Sequence, residues 1–288
     1  GRNHPPDPTF SVPNATPPQI AALAQELRLN AAAFIVTIYG DIVVPRGGVL
    51  WTGTLIDLCA PVGINESLVR TAVSRLVAAG QLRGERIGRR SFYRLASAAR
   101  AEFEHAARLL FGPKAEPHGW QIIHAPDLRP EDARRQRMGH LGGPVFIRPD
   151  RDQEAPPGAL VLHGEAPPAS LEQLAQFWDM TALQARYDRF LALFAPLQAM
   201  AADFSPEPAL IARLLLVHAW RDVLLRDPRL PAACLPQDWP GPQARTLFVT
   251  LYTALTPAAE AHIAAHCEGE DGLLPARTDL SQRRLPHF

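Results

Sequence analysis

The residues best suited to chemistry lie between Asn65 and Arg100, where eight arginines face two glutamates and the local net charge is +6. Across Glu66–Ala79 the apolar residues Leu68, Val69, Ala72, Val73, Leu76 and Val77 recur at helical spacing and predict a stripe that packs on a core. Asn65 is a good N-cap for this helix, and Gly80 sits where a left-handed C-cap would end it. The opposite face presents Glu66, Ser67, Arg70, Thr71, Ser74 and Arg75. Arginine can grip guanine O6 and N7 with two hydrogen bonds, and short hydroxyls suit base or phosphate contacts, so this face has the chemistry of reading a major groove. It would serve equally as an ordinary solvated helix face. The next segment shifts the balance. Leu82–Ile87 and Ser91–Leu95 are β-prone runs joined by Gly88, Arg89 and Arg90, and Arg83, Arg86 and Arg94 flank them. The spacing predicts a hairpin whose tip arginines straddle phosphates or enter a minor groove, although basic edge strands also discourage aggregation. Phe92 and Tyr93 alternate along the second strand, so one packs inward and the other, taken as Tyr93, reaches the duplex backbone.

Other chemistry is weakly represented. His262 and His266 are four residues apart with Cys267 beside them, but no third ligand follows at a recognisable spacing, and a solvated helix end with no metal is the better reading. Asp179, Asp188 and Asp203 lie on separate stretches without paired-carboxylate spacing. There is no phosphate-binding loop or nucleophile elbow, and Gly139, Gly142 and Gly143 do not match a dinucleotide fingerprint. Neither a catalytic role nor a cofactor is expected. The three cysteines, Cys59, Cys234 and Cys267, are odd in number and far apart, which fits reduced, buried thiols.

These residues need elements to hold them. Residues 1–19 contain six prolines and few large apolar groups and read as a flexible tail. A helix is expected from Ile20 to Tyr39, then a loop over Val43–Gly48, a short strand at Val49–Trp51 and a helix capped by Thr52 that runs to Ala60. With the third helix and the hairpin, this order over 20–96 is that of a winged helix-turn-helix. A linker helix is expected over 97–113. Residues 114–170, with β-prone runs at Trp120–His124, Val145–Arg148 and Gly158–His163 and a charged helix at Pro130–His140, read as a small α/β unit. Residues 171–270 carry helical periodicity in Leu171–Met180, Thr181–Met200, Pro206–Arg226 and Pro242–Cys267, and 271–288 read as a loose tail. The fold class expected is mainly α with small α+β parts.

At 288 residues the chain suits two or three packed units, with 29 basic and 29 acidic residues in balance. Its 28 arginines against the single Lys114 point to a GC-rich genome more than to function. No apolar run approaches a bilayer span and the N-terminus does not read as a secretory signal, so a cytoplasmic protein without membrane contact is expected.

Three N-terminal stretches, FIVTIYGDIVVPRGG (Phe34–Gly48), GINESLVRTAVSRLVAAG (Gly63–Gly80) and RIGRRSFYRL (Arg86–Leu95), resemble the PaaX family of phenylacetic-acid catabolon repressors. HAPDLRPEDARRQRMGHLGG (His124–Gly143) and LLLVHAWRDVLLRDPRLPAACLPQDWPG (Leu214–Gly241) resemble its central and C-terminal parts, so the likeness spans nearly the whole chain. The resemblance implies a homodimer on an inverted-repeat operator in double-stranded DNA. It further implies a central ferredoxin-like dimerisation unit, a helical C-terminal domain and release by phenylacetyl-coenzyme A or a related acyl-coenzyme A. For such an effector, Arg134, Arg135, Arg137, Arg148 and Arg221 are candidate cations for phosphates, and His218 and Trp220 are candidate cleft residues that would otherwise be core. The competing class is a winged-helix protein-interaction module without sequence-specific DNA binding, its basic hairpin meeting an acidic partner.

Overall fold

The computed structural model describes residues 16–285, so the tail expected over 1–19 lies outside the described residues up to residue 15. Pro18 and Gln19 are already helical, in α1 (Pro18–Leu27), whose proline stands at a helix start where no N–H is needed. The single helix expected from Ile20 to Tyr39 is broken. Arg28, at φ +47°, ends α1, and the Asn30 side chain accepts the Ala33 N–H at 3.0 Å to start α2 (Ala31–Ile38). The chain does not stop at Gly40 but winds on through a π turn, Tyr39–Val43, and a 3₁₀ turn, Val44–Arg46. Asp41 anchors this continuation. Its fully buried carboxylate accepts Arg213 Nε at 3.1 Å and the Tyr252 hydroxyl at 2.9 Å, partners too distant in sequence for periodicity to register.

β1 (Val49–Trp51), α3 (Thr52–Cys59), α4 (Glu66–Ala78), β2 (Leu82–Ile87) and β3 (Arg90–Leu95) follow in the expected order, and the strands form an antiparallel sheet ordered β1-β3-β2. Thr52 is not the cap expected of it. Its hydroxyl donates to the Ser91 carbonyl at 2.7 Å and ties α3 to the hairpin, while Trp51 holds the cap position.

After α5 (Arg100–Phe111) come β4 (Trp120–His124), α6 (Pro130–Arg135), β5 (Gly139–Gly142), β6 (Val145–Pro149) and β7 (Leu160–Gly164). All neighbours in this sheet are antiparallel, in the order β5-β6-β4-β7. The helix expected over Pro130–His140 ends at Arg135, because Arg137 turns the chain at φ +60° and Gly139–Gly142 pairs with β6. The helical remainder comprises α7 (Leu171–Leu174), α8 (Met180–Phe194), α9 (Pro206–Leu224), α10 (Gly241–His266), the strand pair β8 (Glu268–Gly269) and β9 (Gly272–Leu273), and α11 (Asp279–Arg283). The chain is thus mostly helical with small antiparallel sheets. Among the described residues no single helix is long and apolar enough to cross a membrane.

One apolar core runs from Ile20 to Leu274, with α9 buried along most of its length between the N-terminal helices and α10. The residues expected as separate N-terminal and C-terminal domains therefore share their interior. Nor is the segment after 271 loose as far as it is described. Leu274 is buried, Arg46 donates to the Pro275 and Ala276 carbonyls at 2.8 Å each, Thr278 donates to the Pro45 carbonyl, and Arg284 donates to that of Gly40. The C-terminal segment thereby returns to the beginning of the chain.

Candidate nucleic-acid interface

The core holds α4 through Val69, Ala72, Val73 and Leu76, all buried. The expected stripe was wider than this. Leu68 and Val77 are 49% and 40% exposed, so Leu68 joins the polar face, an apolar group of the kind that packs on a thymine methyl. Asn65 caps the helix as expected, its side-chain oxygen accepting the Leu68 N–H at 2.9 Å. Glu66, Ser67, Arg70, Thr71, Ser74 and Arg75 are all exposed. Two are engaged within the helix: Arg70 donates to Glu66 at 2.7 Å, and the Thr71 hydroxyl donates to the Ser67 carbonyl. Arg75 forms no ion pair among the described residues.

The hairpin turns on Gly88 and Arg89 alone, with Gly88 at φ +62°, because Arg90 already pairs with Ile87 inside the sheet. Directly paired residues share a face. Tyr93, opposite Leu50 and Gly84, therefore stands on the core side, half-buried, with its carbonyl accepting the Tyr39 hydroxyl. Phe92, opposite Trp51 and Glu85 on the other side, is the more deeply buried of the two, at 6% exposure. Arg86 is exposed on the same side as Tyr93, opposite Ser91, and Arg89 is exposed at the tip.

Arg90 and Arg94 lie on the other side, and sequence reasoning missed what meets them there. The Arg90 guanidinium sits 4.1 Å over the Trp51 ring and donates to Glu268 at 2.5 Å. Arg94 donates to Glu85 at 2.7 Å and to Glu270 at 2.9 Å. The two-stranded β8–β9 unit brings both C-terminal glutamates, and a side chain at Gly269 would crowd the Val49 carbonyl at 3.0 Å and the Leu274 side chain at 2.9 Å, so glycine eases this close approach. Two of the hairpin's arginines are thus neutralised by carboxylates from the far end of the chain. The run Glu268, Glu270, Asp271 was the available signal.

Of the candidate effector residues, Arg135, Arg137 and Arg148 line one cavity of about 520 Å³, together with Arg151 and Arg229, which were not foreseen. Arg134 is exposed on α6 and does not line it. None of the other three lines this cavity, although Arg221 lines an apolar cavity that shares His105 with it. Trp220 is a core residue, stacked on Phe248 at 5.3 Å. His218 and Arg221 line a different cleft, of about 680 Å³, between α1, α8 and α9. His218 Nδ1 lies 2.9 Å from the Thr37 hydroxyl, and burial, reinforced by the Arg221 charge, pushes its pKa down to about 4. A histidine with a folded pKa below its unfolded value contributes stability that is present above pH 6.5 and is lost as pH falls toward 4. The melting temperature should therefore fall between pH 7 and pH 5, and fall less in His218→Gln; equal losses in the two proteins would rule this histidine out as a source.

The rings of His262 and His266 lie 4.7 Å apart, tilted at 36°, and among the described residues no group of three or more side chains is placed to hold a metal.

Comparison with known proteins decides the relationship. The chain is 32% identical to the transcriptional repressor PaaX of Escherichia coli (strain K12), over 89% of this chain and 90% of that protein. The chain belongs to the PaaX family. Residues 30–99 match the PaaX-like protein family, and residues 178–265 match the PaaX-like protein C-terminal domain. In this PaaX-family chain the first match takes in α2 to β3 and so the whole candidate interface, and the second takes in α8, α9 and nearly all of α10. The uncharacterized protein Rv0674 from Mycobacterium tuberculosis has a similar structure, with a TM-score of 0.50 and 25% identity over 80% of this chain and 98% of that one.

Proposed function

We propose that this PaaX-family chain, a transcriptional regulator rather than an enzyme, represses an aromatic catabolic operon by binding an inverted-repeat operator as a homodimer. In this reading α2 to β3 form a winged helix-turn-helix, α4 enters the major groove, and the β2–β3 hairpin is the wing that lies along the backbone. The observation that carries it is the exposed polar face of α4 beside exposed Arg86 and Arg89, in a chain similar along most of its length to a transcriptional repressor. The β4–β7 unit is the proposed dimerising part, a ferredoxin-like strand order in which only the first crossover carries a helix. Its edge strand β7 carries Leu160 and Leu162, 61% and 56% exposed, which supports burial against a second copy. An aromatic acyl-coenzyme A such as phenylacetyl-coenzyme A would release the operator by binding the DNA-free geometry more tightly, the shift being limited by its differential affinity.

The test is binding to the intergenic DNA upstream of the protein's own gene against random duplex, at two salt concentrations, with and without phenylacetyl-coenzyme A. Sequence preference that the ligand abolishes supports the whole reading; no preference at either salt favours the protein-interaction module. Arg75→Ala should lower affinity for cognate DNA by about 1–3 kcal/mol and relax base preference, while Arg89→Ala should weaken cognate and random DNA alike and reduce the salt slope by about one. Equal losses on both DNAs for Arg75→Ala would remove it from base reading.

A further inference from the structure

Four arginines meet in the 520 Å³ cavity, which Asp152 and Glu154 also line, and none of the four is in ion-pair contact with a carboxylate among the described residues. Arg137 follows α6, Arg148 stands on β6, Arg151 opens the loop after it, and Arg229 lies in the connection leaving α9. Arg148 is held by neutral acceptors, the Gln121 side chain at 2.8 Å and the Glu154 carbonyl at 3.0 Å. Arg151 donates to the Arg229 carbonyl at 2.7 Å and to that of Ala115. Among the described residues none of the four forms an ion pair, whereas Arg135 at the same cavity does, with Asp132. The acids nearby are otherwise occupied or exposed. Asp227 accepts the Tyr187 hydroxyl and the Arg229 N–H, Asp150 accepts from Gln121 and His163, and Asp152 and Glu154 are exposed on the rim.

Gathering like charges this way is electrostatically unfavourable. Burial lowers the pKa of all four, outweighing the nearby charges of Asp227 on Arg137, Arg151 and Arg229 and of Asp150 on Arg148, and for Arg229, brought down to about 10, the neighbouring Arg151 and Arg137 charges add to the effect. The fork of a guanidinium matches phosphate oxygens with two hydrogen bonds, and several forks converging on one cavity suit a ligand with more than one phosphate. The site is a pocket of the size that takes small molecules, not a ridge that would meet a duplex.

We infer that Arg137, Arg148, Arg151 and Arg229 form a binding basin for the phosphate groups of a small molecule. His105 lines both this basin and an apolar cavity bounded by Phe103, Leu110, Phe111 and Val217, so a ligand with a phosphorylated end and an apolar end would span the two. The assignment of these phosphates to an acyl-coenzyme A rests on the effector reading above; the basin itself does not.

The test is calorimetric titration of the full chain, without DNA, with coenzyme A and with inorganic pyrophosphate. Arg137→Gln and Arg229→Gln, each checked for an unchanged melting temperature, should weaken both probes at least tenfold. Arg283→Gln, exposed on α11, should bind like the parent protein. Equal affinities for parent, Arg137→Gln and Arg229→Gln, or no binding of either probe at millimolar concentration, overturn the basin. Release of operator DNA by phenylacetyl-coenzyme A with the same potency in both variants overturns it while leaving the effector reading intact. Binding of both probes that the variants weaken, in a protein showing no operator preference, keeps the basin and removes the repressor reading.

Discussion

Arg213→Ala is expected to destabilise the protein by about 3–5 kcal/mol, the range for removing one partner of a buried ion pair. The Arg213 side chain is 2% exposed and that of Asp41 is not exposed at all. Arg213 joins Asp41 at 3.1 Å, Thr256 at 3.3 Å and the face of the Tyr252 ring at 4.9 Å, and so links the N-terminal π turn to α9 and α10. Loss of the guanidinium would leave a desolvated carboxylate with the Tyr252 hydroxyl as its remaining hydrogen-bond partner in this network. The pair is less valuable than that loss implies. One arm, Nη2, is buried without a hydrogen-bond partner among the described residues, so replacing the group together, as Asp41→Leu, Arg213→Met and Tyr252→Phe, should recover most of the stability. Urea denaturation of the single and triple variants reads both numbers; a triple variant as unstable as Arg213→Ala would show that the cluster's shape, not its charge, holds the helices together.

Glu268→Gln combined with Glu270→Gln should tighten binding to DNA of any sequence, by roughly five- to thirtyfold if each exposed pair contributes about 0.5–1 kcal/mol. In the structure Arg90 and Arg94 already have carboxylate partners, and phosphates must compete with them. Freed from Glu268, Arg90 can neutralise a phosphate, while Arg94 is left with Glu85 as its competitor, so the salt slope should steepen by about 0.9 and by up to about 1.8 if Arg94 also leaves Glu85. Arg90→Ala in the parent protein should correspondingly weaken DNA binding less than Arg89→Ala does, since Arg90 must first leave Glu268 and the Trp51 ring. Fluorescence anisotropy on random duplex across a salt series distinguishes the cases. An unchanged slope in the double variant would mean that this side of the hairpin does not meet DNA.

Both predictions turn on contacts between chain segments more than a hundred residues apart, and such contacts divide what was legible in the sequence from what was not. The Asn65 cap, the Gly80 turn, the hairpin strands and the boundaries of α9 and α10 are local matters of capping, backbone freedom and periodicity, and they could be read from neighbouring residues. The family resemblance was legible for the same reason, because it rests on contiguous stretches. Errors arose where a distant partner overrode the local signal. Periodicity joined Ile20 to Tyr39 in one helix, but Asn30 restarts the helix and Asp41 carries the chain onward to meet Arg213. Alternation left open which of Phe92 and Tyr93 packs inward, and only the tertiary structure decided it: Phe92, paired with Trp51, is buried and Tyr93, paired with Leu50, is half-buried.

The sequence by itself therefore determined the order of elements, the basic character of Asn65–Arg100 and the face that α4 turns away from the core, because each depends on residues within a few turns of one another. Tertiary structure alone decided which arginines are available. Charge is a property of composition, but whether a guanidinium is free for phosphate depends on which carboxylate the fold brings within reach: Glu268 and Glu270 reach Arg90 and Arg94, while among the described residues none makes an ion pair with Arg137, Arg148, Arg151 or Arg229.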